Sequence, residues 1–181
     1  MNTATTNPIE NVTYRGLTER LVIDQLVTPA GASEIAEVAR SQSKTLIQEL
    51  LDGNHIDSEA LAAIVSEEYG VPLFNLTPMV HEHLPLDLVP QSLIRKHKAL
   101  PLYRRGNRLF VAIADPTNTS ALAEFKFATG IATDSVVVEQ KLLLEMIDEV
   151  IAKQDEVFDG DIADFASAED YIPDLDVEEE S

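Results

Sequence analysis

The stretch "LPLYRRGNRLFVAIADPTNTSAL", Leu100–Leu122, decides the fold of this 181-residue chain. Two apolar runs of β-type composition, "ALPLYRR" and "RLFVAIA", are separated by Gly106-Asn107, a two-residue turn that predicts a β-hairpin. The "DPTN" that follows is typical of a turn, with Asp115 or Thr119 expected to cap the next helix. We therefore interpret Asp115 as a turn residue and not as a catalytic acid.

The chain after the hairpin completes a small mixed unit. "TSALAEFKFATG" predicts a helix closed by Gly130, "DSVVVE" a strand, and "QKLLLEMIDEVIAK" an amphipathic helix. Leu122, Phe125 and Phe127 are expected to bury against the strands. Residues 77–153 are thus predicted to form a compact α/β unit of the order β-hairpin, helix, strand, helix.

The chain before the hairpin is predicted to be helical. Residues 14–76 form four short helices, with Thr28-Pro29 and Asp57 at helix starts and Gly70 at a helix end. The segments "LVIDQLVTPAGASEIAEVA" and "LLDGNHIDSEALAAIVSEE" share one pattern of apolar pair, turn and helix, which indicates a degenerate repeat. The Pro-rich segment after them is predicted to be extended.

Both ends of the chain are polar. Residues 1–13 are predicted to be disordered, and residues 154–181 to be an acidic flexible linker. The predicted fold class is α+β: a small N-terminal helical bundle, then the compact α/β unit, then a disordered acidic tail.

Charge is distributed unevenly along the chain. The formal net charge is -19, and residues 154–181 carry twelve acids and no Lys or Arg. Six of the thirteen basic residues nevertheless lie between residues 95 and 108. These six, with the neighbouring Tyr103, are our candidate partner-binding residues, named below as the basic cluster: Arg95, Lys96, Lys98, Tyr103, Arg104, Arg105 and Arg108.

Three interpretations of the basic cluster stay open. It is a solvated rim, a docking surface for a protein, or a site for a phosphate-containing ligand. Tyr and Arg are enriched at interface hot spots, which favours a protein partner over a phosphate. No glycine-rich loop at a helix N-terminus accompanies these arginines in the sequence.

Composition argues against several function classes. The acidity argues against nucleic-acid binding, and no apolar run reaches the roughly 18 residues of a membrane span. The chain has no Cys and no G-x-S-x-G sequence. His81 and His83 alternate in a segment expected to be extended, but two histidines are too few to define a zinc site, so no metal is expected.

The chain resembles a known module in the order of its segments. That order is a helical pair, "GVPLFNL", "LVPQSLIRKHKALPLYRRGNRLFVAIADPTN", "EFKFATG", a strand and a helix. It is similar to the N-terminal region of type IV pilus extension ATPases of the PilB kind and, more broadly, of type II secretion ATPases of the GspE kind. The resemblance implies a cytoplasmic location, peripheral to the inner membrane through partners. It also implies three partners: a PilZ-type adaptor, a PilC-like platform protein and the rest of a hexameric ATPase.

The resemblance places the family's chemistry, with ATP and Mg²⁺, in a motor domain that carries the phosphate-binding loop G-x-x-x-x-G-K-[ST]. None of the seven glycines here is followed by Lys, so no such loop is present. We therefore expect a non-catalytic regulatory and interaction domain without a cofactor, and the acidic tail to lead toward a missing motor. An N-terminal domain of a secretion ATPase is the alternative within the family.

Some relatives bind cyclic di-GMP through two copies of Arg-Leu-Gly, an apolar pair, Gly and a second apolar pair. By this resemblance, Thr18 and Gln25 stand where the glycines of the first copy belong. In the second copy Thr45, Leu46 and Ile47 replace Arg-Leu-Gly, and Gly53 is one place out of register. Arg15 is the one nearby arginine. Direct cyclic di-GMP sensing is therefore kept as the alternative function.

Overall fold

The computed structural model describes the backbone of residues 16–168 and the side chains of residues 16–155. Short 3₁₀ turns lie at His81–His83 and Leu86–Leu88. The other elements, in chain order, are α1 (Leu17–Ile23), α2 (Pro29–Ser41), α3 (Leu46–Asp52), α4 (Ser58–Tyr69), α5 (Gln91–His97), β1 (Leu100–Arg105), β2 (Arg108–Ile113), α6 (Thr119–Thr129), β3 (Ala132–Val137) and α7 (Gln140–Ala168). The predicted α+β class is confirmed.

The four N-terminal helices form two similar pairs. Leu46 starts α3 29 residues after Leu17 starts α1, and Ser58 starts α4 29 residues after Pro29 starts α2. Apolar side chains one helical turn apart, among them Leu17 with Leu21 and Leu61 with Val65, form the core of this bundle. The repeat predicted from the sequence is thus visible as two short-long helix pairs.

The sheet has three strands in the order β1-β2-β3. The hairpin pairs β1 and β2 antiparallel, whereas α6 returns the chain so that β3 runs parallel to β2. Gly106 turns the hairpin at φ 60°, a conformation that glycine adopts without a steric cost. The first residue of β3, Ala132, pairs with Arg108, so the hairpin turn and the start of β3 lie at one end of the sheet.

Two apolar clusters form the core, and they meet at Val137. One cluster joins the strands to α5, α6 and α7, with Phe125, Leu102 and Leu109 fully buried. The other joins the four N-terminal helices and includes Val137, the last residue of β3. The Val137 backbone also bonds to the chain after α4, since its N–H donates to the Pro72 carbonyl at 2.8 Å and its carbonyl accepts from Phe74 at 2.8 Å.

Three details differ from the sequence-based expectations. Phe127 is 92% exposed and not buried, because it lies two residues from the buried Phe125 and so on the opposite side of α6. His81–His83 is a 3₁₀ turn and not extended, because the His83 amide donates to the Val80 carbonyl at 3.1 Å. Asn118, not Asp115 or Thr119, occupies the N-cap position of α6, and its side chain makes no capping bond.

The C-terminal helix is longer than predicted. We placed the start of the acidic linker at Gln154, but α7 continues to Ala168. Its later part keeps helix-compatible spacing, with Phe158, Ile162 and Phe165 four and three residues apart, and has no proline before Pro173. Residues 1–13 and 169–181, for which disorder is predicted, lie outside the described residues. Within residues 16–168 no helix is long and apolar enough to cross a membrane.

Candidate functional site

Three arginines of the basic cluster gather at the turn of the hairpin, a region we call the hairpin end. The Arg104 guanidinium donates to the Gly106 carbonyl at 2.9 Å and so braces the turn. Arg108 pairs with Asp134 of β3 at 2.6 Å. The Arg105 guanidinium is exposed and has no ion pair or hydrogen bond within the part of the chain that the structure describes, so its five donors are available to a carboxylate.

An aromatic cluster adjoins these arginines on the sheet. Tyr103 stacks on Phe110 across the hairpin, with ring centroids 4.7 Å apart and an interplanar angle of 18°. Phe74 lies 6.4 Å from Tyr103 in a tilted arrangement. Tyr103 is 36% exposed and lies two residues before Arg105 on β1, so the stacked ring and the free guanidinium share one face of the sheet. This combination suits contact with a protein that offers carboxylates and apolar surface.

Two other members of the basic cluster lie away from the hairpin end, on α5. Arg95 lies 3.6 Å from Asp155, and Lys96 lies 2.8 Å from Glu124 of α6. Lys96, together with His97, lowers the pKa of Glu124 below its ordinary value. The buried His97 Nε2 lies 3.1 Å from Glu124 Oε2 and makes no hydrogen bond among the described residues. These side chains therefore tie α5 to α6 and α7.

Lys98 lies at a third place, between the helical bundle and the α/β unit. It ends α5 in the left-handed conformation, at φ 48°. It lines a cleft of about 500 Å³ together with residues of α3, α4 and α7, among them Asp52 and Lys141. The structure thus separates the seven residues of the basic cluster into three places, and only Tyr103, Arg104, Arg105 and Arg108 lie together.

A side-chain hydrogen bond links the bundle to the turn that follows the hairpin. The buried carboxylate of Asp115 accepts from the Thr45 hydroxyl at 2.5 Å and from the Thr117 amide at 2.9 Å. The same Thr45 hydroxyl accepts from the Gln48 amide at 3.0 Å and so caps α3. Burial raises the pKa of Tyr69, and the nearby carboxylates of Asp115 and Glu68 raise it further. The turn interpretation of Asp115 is confirmed, and Asp115 also fixes the two subdomains against each other.

The positions that would carry a cyclic di-GMP motif are occupied by structural side chains. Ile47 is 1% exposed in the bundle core, and Thr45 is engaged by Asp115. Gln25 and Asn54, which are 29 residues apart, both adopt positive φ, of 57° and 50°. The backbone shape that glycine favours is therefore present in both copies without glycine. Arg15 lies outside the described residues.

Sequence reasoning missed two features near the basic cluster. Phe127 and Lys126 are exposed on the last turn of α6, and the helical spacing from the buried Phe125 is the signal that could have revealed them. The hydrogen bond from Thr45 to Asp115 spans 70 residues, and no local pattern predicts it.

Among the described residues, no group of three or more His, Asp or Glu side chains could hold a metal ion.

Residues 69–157, which include the sheet and the start of α7, match the model of the MshEN domain family. The match covers 89 of the 181 residues, just under half of the chain. The chain is similar to the type IV pilus assembly ATPase PilB of Pseudomonas aeruginosa, at 31% identity over 141 residues, 78% of this chain and 25% of that protein. PilB of Acinetobacter baylyi is 28% identical over 136 residues, 75% of this chain and 24% of that protein. The chain thus spans about a quarter of the length of these relatives.

Solved structures share the fold. MshE solved with cdg superposes with a TM-score of 0.59 at 19% identity, over 76% of this chain and 99% of that one. The N-terminal domain of XpsE gives a TM-score of 0.60 at 17% identity, over 75% of this chain and 96% of that one. The resemblance to PilB-type and GspE-type N-terminal domains that the sequence indicated is confirmed.

Proposed function

We propose that this chain is a non-catalytic regulatory and protein-interaction domain of a type IV pilus extension ATPase. It would couple the motor to a PilZ-type adaptor and to a PilC-like platform protein at the cytoplasmic side of the inner membrane. The observation that carries the proposal is the hairpin end, where the free Arg105 lies beside the rigid Tyr103. Relatives at 28–31% identity are pilus ATPases, which favours the pilus over the secretion system.

Charge supports a protein partner for the hairpin end. The chain carries a formal net charge of -19, so an acidic partner is repelled from most of its surface. The cations of the hairpin end are the exception, and they would steer such a partner to one orientation. ATP hydrolysis is not part of the proposal, because the 181 residues lack a phosphate-binding loop.

The test is calorimetric titration of the chain with a purified PilZ-type adaptor. We expect Arg105→Glu to weaken binding by about tenfold, since reversal of a charge at an acidic interface replaces attraction by repulsion. Arg105 is a cleaner target than Arg104, whose side chain braces the turn. Arg40→Glu is the matched control, because Arg40 is 75% exposed on α2 and pairs only with Glu37 among the described residues. Absence of binding by the unaltered chain would contradict the proposal.

Direct sensing of cyclic di-GMP is the second candidate, and the fold shared with MshE solved with cdg supports it. Against it, Thr45 and Ile47 occupy motif positions with a structural hydrogen bond and a core side chain. A parallel titration with cyclic di-GMP alone separates the two candidates. Micromolar binding of the nucleotide would favour the sensor and would contradict the adaptor proposal.

A further inference from the structure

Phe127 is the most exposed large apolar side chain of the described residues, at 92%. It projects from the last turn of α6, on the side opposite the fully buried Phe125. Ala123 and Ser120, one and two turns earlier on the same side, are small and exposed. The ring therefore stands above a flat helix surface that another protein can approach closely. Nothing in the fold requires an aromatic residue at this position.

The last turn of α6 lies at the same end of the sheet as the hairpin turn. Helix α6 ends at Thr129, and β3 begins at Ala132, which pairs with Arg108. Lys126 lies next to Phe127 and is exposed, and its ammonium group has no ion pair or hydrogen bond among residues 16–155. An aromatic side chain, Lys126 and the hairpin arginines thus belong to one end of the molecule.

The charges on α6 favour an acidic partner over a second copy of the chain. In a two-fold pair centred on Phe127, the adjacent Lys126 of each copy would lie close to the shared axis. Two like charges would then face each other across the contact. Glu124 cannot compensate, because Lys96 and His97 already lie against its carboxylate at 2.8 and 3.1 Å. A partner that presents carboxylates meets no such repulsion.

We propose that Phe127 is the apolar anchor of the adaptor interface, inserting into an apolar pocket rimmed by carboxylates on the partner. Lys126 and the arginines of the hairpin end contact that acidic rim. The inference rests on the proposed function and extends it, because the docking surface then runs from the hairpin onto α6. The Phe127 ring provides most of the binding affinity, and the cations set the orientation of the partner. Buried anchors and charged rims usually divide these roles in protein interfaces.

The test uses the whole chain and the purified PilZ-type adaptor in a binding assay at low and high salt. Phe127→Ser should raise the dissociation constant by at least tenfold at both salt concentrations, as expected of a hot-spot residue. Lys126→Glu should weaken binding mainly at low salt, since exposed charges are screened. Phe127→Tyr, which keeps the ring, should retain binding to within about threefold.

The matched control is Ile23→Ser, since Ile23 is 66% exposed on α1, in the helical bundle. It removes a comparable apolar side chain and should leave binding and thermal unfolding unchanged. Phe127→Ser should also unfold at the temperature of the unaltered chain, because so exposed a ring makes little packing contact.

Two outcomes would overturn the inference alone. One is adaptor binding by Phe127→Ser at the affinity of the unaltered chain. The other is a dimer of the unaltered chain, seen by light scattering, that Phe127→Ser abolishes, since the occupant would then be a second copy. Failure of the unaltered chain to bind the adaptor would instead overturn the proposed function and this inference with it.

Discussion

At the scale of single residues, Gln25 is held in a conformation that favours glycine. Its φ is 57°, in a region that costs a side-chain-bearing residue about 1–2 kcal/mol. Glycine avoids that cost but loses about 0.5–1 kcal/mol of backbone entropy. We expect Gln25→Gly to raise the free energy of unfolding by about 0.5–1 kcal/mol. Urea titration of the two proteins measures it.

Asn54 provides the control for that substitution. It occupies the same place in the second repeat at φ 50°, but asparagine tolerates the left-handed region better than glutamine does. Asn54→Gly should therefore change the free energy of unfolding by less than Gln25→Gly. An equal or larger gain at Asn54 would contradict the assignment of strain to Gln25.

Thr45 performs two tasks with one hydroxyl. It accepts from the Gln48 amide and donates to the buried carboxylate of Asp115. Thr45→Val keeps the shape but removes both bonds and leaves Asp115 short of a donor, so we expect a loss of about 1–3 kcal/mol. Thr45→Ser retains the hydroxyl and should lose less than half as much. Equal losses for Val and Ser would show that the methyl group, not the hydroxyl, matters.

At the scale of secondary-structure elements, the contact between α5 and α6 should depend on pH. The Lys96 ammonium, with His97, holds the pKa of Glu124 below its ordinary 4.5 in the folded chain. A lowered folded-state pKa means that the stabilisation is complete above about pH 5 and is lost as the pH falls through the folded-state pKa. Glu124→Gln should therefore unfold at a lower temperature than the unaltered chain at pH 7. The two melting temperatures should converge as the pH falls well below the ordinary pKa of 4.5, and a difference that persists there would contradict this origin.

The elements differ in how far local sequence predicted them. Turns and helix ends were predicted correctly, because turn and cap conformations depend on adjacent residues. Examples are the hairpin turn at Gly106-Asn107, the helix cap Asp57, and the helix ends at Gly70 and Gly130. Phe127 was misplaced because composition alone suggested burial, whereas its position on the helix decides exposure. The extension of α7 was missed because acidic composition was taken as a sign of disorder.

The arrangement of the candidate residues in space could be predicted from the sequence only in part, and their role in binding stays a prediction. A run of basic residues in the sequence does not specify a surface, since Arg95 and Arg105 lie on different elements. Their separation depends on strand pairing and helix packing, which are non-local. Arg95, Lys96 and Arg108 form ion pairs within the chain, with Asp155, Glu124 and Asp134 respectively. These three cations are therefore less available to a partner.

At the scale of the whole molecule, the helical bundle and the α/β unit should unfold together. Val137 of the α/β unit packs in the core of the bundle, and the hydrogen bond from Thr45 to Asp115 joins the two parts. Val65→Ala, in the bundle, and Val111→Ala, in the α/β unit, each remove two methyl groups from a fully buried side chain. Each should lower the free energy of unfolding by about 1.5–3 kcal/mol, in a single transition reported equally by amide signals of α2 and β2. Two separate transitions, each shifted by one variant only, would contradict this.

Val137 has a consequence for the timescales on which the molecule opens. Its amide proton is bonded to the Pro72 carbonyl, while its side chain lies in the core of the bundle. That proton can exchange with solvent only when the chain after α4 separates from the sheet, so transient fraying at the hairpin turn does not reach it. In deuterated solvent, the Val137 amide should therefore be among the last to exchange. Its exchange rate would report how often the whole domain opens, and it can be measured before and after a partner binds.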